Sequence, residues 1–248
     1  FAKLAVIVLL SFVISGRMKK ITTLKQMFLV MVWILPIVGL VGTNNLSTAI
    51  IIMGIAVCLI FTASPGYGHF LLLGGLGIGF LGVFLSVESY RLERLAIWRN
   101  PEAYEKGYQT MQGLYAIGSG GLFGTGYGAS LQKLGFVPEA QNDMIFSIVC
   151  EEFGLVGAVL LIGLFLLLVW RLLMIALHVP DLSGCLLAAG IMGHIVIQVI
   201  LNIAVVTNTI PNTGITLPFV SYGGTSVLFL LAEMGLALSV SRNVRQEP

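Results

Sequence analysis

Phe153-Gly-Leu-Val-Gly-Ala-Val-Leu-Leu-Ile-Gly-Leu-Phe-Leu-Leu-Leu-Val-Trp170 is an unbroken apolar run, closed by an aromatic residue and followed by Arg171. Its length decides the fold. Roughly 20 apolar residues in a helix span the hydrocarbon of a bilayer, and lipid offers backbone N–H and C=O groups no partner, so such a run must be helical. Working outward, further apolar segments lie at about 1–15, 27–42, 46–63, 69–87, 182–206 and 223–241, and the run itself extends to 144–173. Seven crossings predict an all-α, polytopic transmembrane helical bundle, taken as a single membrane domain over 1–248. Composition agrees: 57% of residues are hydrophobic and only 10% charged, and the mean hydropathy is +1.00, far from the usage of water-soluble domains.

Charge sets the orientation. Arg17, Lys19, Lys20, Lys25, Arg171, Arg242 and Arg245 fall on the segments that become cytoplasmic if the N-terminal end lies outside. Short loops rich in Lys and Arg stay inside, whereas long loops cross whatever their charge. The stretch from Glu88 to Asn142 is therefore expected outside, as an ordered extracellular subregion over 88–142 that is too long for a simple turn. A net charge of +2, scattered along the chain, gives no footprint for nucleic acid. Cys58, Cys150 and Cys185 are odd in number and set among apolar residues, so they read as small hydrophobes.

Val137-Pro-Glu-Ala-Gln-Asn-Asp-Met-Ile-Phe146 places Glu139 and Asp143 just ahead of a long helix. Asn142 or Asp143 suits an N-cap, where a carboxylate is held ionised. An ionised carboxylate there can also take a proton from an attacking hydroxyl, and spacing leaves both readings open. With the helix continued upward from Phe153, Asp143 is expected roughly 15 Å beyond it, at the outer lip of the membrane. The glycine-rich stretch Gly118 to Gly128 lacks the Gly-Lys-Ser/Thr ending of a nucleotide loop. It reads either as an external turn or as a nest of amides for an anion such as pyrophosphate. Tyr90, Arg91, Arg94, Trp98, Arg99 and Tyr108 form a basic aromatic cluster that an interfacial belt explains more simply than ligand recognition. Within the spans, His194, Gln198 and Asn202 recur every four residues on one face, and Glu233 sits near the middle of the last span. A His194–Glu233 pair at mid-membrane is expected, as interhelical bonding or as an ion path. Gly75 and Gly79 suit close helix packing.

Several of these segments recur in a fixed order. Pro138-Glu-Ala-Gln-Asn-Asp143 with Glu151-Glu-Phe-Gly-Leu155, Tyr108-Gln109, Ala116 to Gly121, Gly124-Thr-Gly-Tyr-Gly128, Pro218-Phe-Val-Ser-Tyr-Gly-Gly-Thr-Ser226 and Phe1-Ala-Lys3-Leu4 together resemble the SEDS family of peptidoglycan polymerases that includes FtsW, RodA and SpoVE. The resemblance implies a ten-helix plan, of which these spans are the last seven, and Phe1 reads as starting inside a span. It implies a glycosyltransferase of the bacterial cytoplasmic membrane that moves the growing glycan from undecaprenyl pyrophosphate onto the 4-hydroxyl of lipid II on the outer face. Asp143 matches the family's required aspartate and is the expected catalytic residue. Lys3, Gln109, Arg94, Lys133, Glu139, Ser221, Tyr222 and Gly223 are the expected substrate contacts; for Lys3, snorkelling to the interface is an equal alternative. A divalent cation (Mg2+ or Mn2+), membrane lipid and a class B penicillin-binding protein partner are further expectations. Two places depart from the family: Thr43-Asn-Asn-Leu-Ser47 stands where many members carry Pro-Asp-Leu-Gly, and Thr213 where some carry lysine. A lipid II flippase and a membrane scaffold for another synthase are the competing functions.

Overall fold

A computed structural model describes residues 1–18, 21, 23–64, 74–75 and 89–244. Among the described residues the regular elements are all helical. They are α1 (Ala2–Val13, prolonged by a π-helical turn Ile14–Met18), α2 (Leu24–Asn44), α3 (Leu46–Ala63), α4 (Ser89–Arg99), α5 (Tyr108–Ser119), α6 (Ile145–His178), α7 (Leu182–Val206) and α8 (Gly224–Ser241). Of these, α2, α3, α6, α7 and α8 are long and apolar enough to cross a membrane, and α1 is a shorter apolar helix. The span expected at 69–87 lies outside the described residues, apart from 74–75.

Local chemistry explains the ends. Thr23 and Gln26 form a reciprocal capping box at the start of α2. Asn45 closes α2 and, by accepting from the Thr48 N–H at 2.9 Å, opens α3, so one polar residue turns the chain between two apolar helices.

The chain divides into two compact units. The first comprises 1–74, 167–197 and 224–248. Its core is aliphatic, with Ile7, Leu10, Ile52 and Leu59 fully buried. Glycines let the helices approach: Gly54 lies against Ile197, Gly190 against Ile7 and Leu59, and Gly193 against Cys58. The outer faces of α2, α6 and α8 keep Phe28, Leu40, Leu167 and Leu238 exposed, which suits lipid rather than water. In this unit the expected pair forms. His194 Nδ1 lies 2.8 Å from Glu233 Oε2, and both side chains are buried.

The second unit comprises 75–166 and 198–223. Here the expectation of one straight helix from residue 144 is corrected. Gly154 has φ 66° and ψ −163°, a conformation open essentially to glycine alone, so Ile145–Phe153 is a separate helical segment. The cause is the glycine-rich loop, which docks into the break: Leu155 N–H donates to the Gly121 carbonyl and Val156 N–H to that of Leu122.

Candidate functional site

Asp143 lies in the second unit, on the turn that enters α6, and is only 8% exposed. It borders a cavity of about 280 Å³ that Arg94, Trp98, Lys106, Gln109, Asn212 and Gly214 also line. Each wall is fixed by its own bonds. Gln109, in the first turn of α5, donates through Nε2 to Asp143 Oδ1 at 3.4 Å and to the Pro138 carbonyl at 3.1 Å. Arg94 of α4 donates to the Asn212 carbonyl at 3.1 Å, and Trp98 Nε1 to that of Asn208 at 2.9 Å. Below the turn, Asn202 of α7 is fully buried and donates to the carbonyls of Asp143 at 2.8 Å and Ile215 at 2.6 Å. From the other side, Ser221 donates to the Asn142 carbonyl at 2.6 Å, and the Tyr222 N–H to that of Gln141 at 2.8 Å.

The capping reading is not what the turn does. Asn142 donates its amide to Glu139, and the Asp143 carboxylate faces Gln109 and its own backbone N–H. Nor is that carboxylate held at a low pKa, as a cap would be. Burial pushes it above the usual carboxylate range, its own N–H opposes the rise, and the negative charge of Glu139 adds to it. A carboxylate whose pKa is raised is, in its ionised form, a stronger proton acceptor.

A second cavity of about 560 Å³ touches the same turn from its other side and is lined by Lys133, Leu134, Val137, Glu139, Gln141 and Ile145, among others. It is larger but lacks Asp143. The smaller cavity sets a buried carboxylate beside Arg94 and Lys106 and is where chemistry fits.

The glycine-rich loop is a nest of amides, but the protein fills it. Leu131 N–H donates to Glu151 Oε1 at 3.1 Å and the Ser130 hydroxyl to Glu151 Oε2. The amides of Gly128 and Ser130 turn to Glu152, which also takes Lys133 Nζ at 2.6 Å. Thr125 and Gly126 donate to the main-chain carbonyls of Glu151 and Glu152 at 2.9 and 3.0 Å. Of the two readings of this stretch, the structure favours the turn: the amides of Thr125 and Gly126 are taken by the main-chain carbonyls of Glu151 and Glu152, and that of Gly128 by the Glu152 carboxylate. Lys133 rims the larger cavity as the partner of Glu152.

The expected site residues thus separate. Gln109, Arg94 and Asp143 share one cavity, and Glu139 lies on the rim of the other. Ser221 is buried and its hydroxyl is engaged on both sides, since it also accepts from the Leu217 N–H at 2.7 Å; it anchors the Asp143 turn. Tyr222 is 73% exposed and Gly223 adjoins it. Lys3 sits on α1 in the first unit, within electrostatic reach of Glu233. Trp98, read as belt, is a wall of the cavity, and Asn212, Asn208 and Lys106 were not singled out from the sequence. Their signal was weak because their relation to Asp143 is long-range. Among the described residues no three His, Cys, Asp or Glu side chains come together as a metal site. The cavity sets one carboxylate beside two cationic residues, a donor set that does not fit a divalent cation held by protein groups alone.

Residues 1–246 match the model of a family described as cell cycle protein, FtsW/RodA/SpoVE. The chain is 43% identical over 256 residues to stage V sporulation protein E of Bacillus subtilis, covering 99% of this chain and 68% of that protein. It is 36% identical over 253 residues to a probable peptidoglycan glycosyltransferase FtsW of Trichlorobacter lovleyi, covering 100% and 66%. Among solved structures, a chain described under structural coordination of polymerization and crosslinking by a peptidoglycan synthase complex superposes with a TM-score of 0.79 at 31% identity, covering 99% of this chain and 69% of the other. RodA, the rod shape determining protein of Thermus thermophilus, superposes with a TM-score of 0.67 at 29% identity, covering 99% and 65%. The chain spans about two thirds of the length of these relatives.

Proposed function

Because the chain belongs to the FtsW/RodA/SpoVE family of cell cycle proteins, we propose that it is the polymerising part of a membrane-embedded peptidoglycan glycosyltransferase. Its substrate is lipid II, presented at the outer face of the bacterial cytoplasmic membrane, and its partner is a class B penicillin-binding protein. The observation that carries this reading is one buried carboxylate, Asp143, in a cavity that also holds Arg94 and Lys106.

In mechanism, Asp143 accepts the proton of the 4-hydroxyl of an incoming lipid II as that oxygen forms the new glycosidic bond. The bond from the anomeric carbon of the growing glycan to undecaprenyl pyrophosphate breaks at the same centre, and the electron pair leaves on the diphosphate. Arg94 and Lys106 stabilise the charge that grows on that leaving group. Gln109 orients the carboxylate. The exposed apolar residues that α6 contributes to the same unit, Val159, Leu160 and Leu164, keep the cavity's unit in contact with the lipid in which both substrates reside.

Asp143→Asn keeps shape and removes the base. Polymer formed from lipid II by the full-length protein with its partner should fall about 10²- to 10⁴-fold, while thermal unfolding in detergent is unchanged; wild-type rates in that variant would remove Asp143 from the mechanism.

A flippase reading draws on the buried His194–Glu233 pair, since intramembrane ionisable groups often mark translocation paths. Their direct bond at 2.8 Å favours a clamp between α7 and α8 instead. Lipid II supplied only on the outer side separates the two readings: polymer is expected, and lipid movement without polymer would favour transport.

A further inference from the structure

Gln109 can present either end of its amide to Asp143, and only one end is useful. An N–H toward the carboxylate stabilises its ionised form; a carbonyl oxygen turned the same way opposes it. The choice is made two residues away from the carboxylate. The Gly214 N–H donates to Asn212 Oδ1 at 3.1 Å, which leaves Asn212 Nδ2 as the end facing α5. That Nδ2 donates to Gln109 Oε1 at 3.0 Å, and the Gln109 Nε2 is thereby turned to Asp143 Oδ1 and the Pro138 carbonyl. A backbone N–H, which cannot reverse, thus fixes the direction of the entire line.

We propose that Asn212 is a positioning residue for the reaction, holding the Gln109 amide in the one orientation that gives Asp143 a donor. The inference rests on the reading of Asp143 as the base. Asn212 touches neither reacting atom; it acts through Gln109. Its main-chain carbonyl is separately bound by Arg94, so replacing the side chain leaves that contact available. The charged groups that face Asp143 are Glu139 on its own turn, Arg94 on α4, and Lys106 just before α5; none is altered by a change at position 212.

The test is the pH dependence of lipid II polymerisation by the full-length protein with its penicillin-binding protein partner. The base must be ionised, so activity falls as pH drops through the Asp143 pKa. Asn212→Leu lets the Gln109 amide turn freely and should move the acid-side midpoint up by about one pH unit. Asn212→Ala removes the same donor without adding a charge, so the Gln109 amide is freed in the same way and the midpoint should rise about as far. This smaller variant carries the test if the leucine variant unfolds. Gln109→Leu should shift the midpoint by itself and cancel any further shift from either change at 212, because the line is already cut. An unmoved midpoint in both 212 variants, or shifts that persist in the Gln109→Leu background, overturns the relay. Failure of the base reading looks different: Asp143→Asn then polymerises at the wild-type rate.

Discussion

Glu139 is held at φ 55°, a left-handed conformation that costs a non-glycine residue about 1–2 kcal/mol. The Asn142 amide, which it accepts, locks it there. Its charge adds to the elevation of the Asp143 pKa. Glu139→Gln removes that charge while keeping the shape, so the Asp143 pKa should fall and the acid-side midpoint of polymerisation should move to lower pH. A pH–rate profile that stays in place would show that the two carboxylates do not sense each other. At this scale the sequence was most legible for Asp143 itself, an acidic residue ahead of a long apolar helix within a recognisable motif. It was misleading about the role of Ser221, whose hydroxyl ties Leu217 to Asn142, because partners 79 residues apart leave no trace in local spacing.

Among the elements, α6 departs furthest from what its residues suggest. The unbroken apolar run from Phe153 to Trp170 disguises Gly154, since a glycine within such a run usually reads as a packing site. The break becomes intelligible only once the glycine-rich loop is in place against it. A Cβ at position 154 would collide with the Gly124 nitrogen and the Leu122 carbonyl, and the backbone conformation itself excludes other residues at about 1–3 kcal/mol. Gly154→Ala is therefore expected to lower the thermal unfolding midpoint and to abolish polymerisation by displacing the loop. Gly163→Ala, in the same helix with open space around it, should leave both unchanged. If the two variants melt alike, the break is not under load.

For the molecule in its membrane, apolar run length was sufficient to read the spans α2, α3, α6, α7 and α8, and the four-residue spacing of His194, Gln198 and Asn202 was sufficient to put them on one face. What that face does differs along its length. His194 meets Glu233, Gln198 bonds the Thr216 carbonyl at 2.9 Å, and Asn202 supports the Asp143 turn. Removing one partner of a buried hydrogen-bonded pair leaves the other polar group without that bond, so His194→Ala should cost about 1–3 kcal/mol in unfolding experiments. The double replacement His194→Leu with Glu233→Leu should restore most of that stability and keep polymerising. Loss of activity in a well-folded double variant would instead assign the pair a proton-handling role. Finally, a loop that commits the main-chain donors of Thr125, Gly126, Gly128, Ser130 and Leu131 to Glu151 and Glu152 cannot swing aside without stranding both acids. It is a fixed wall and not a door.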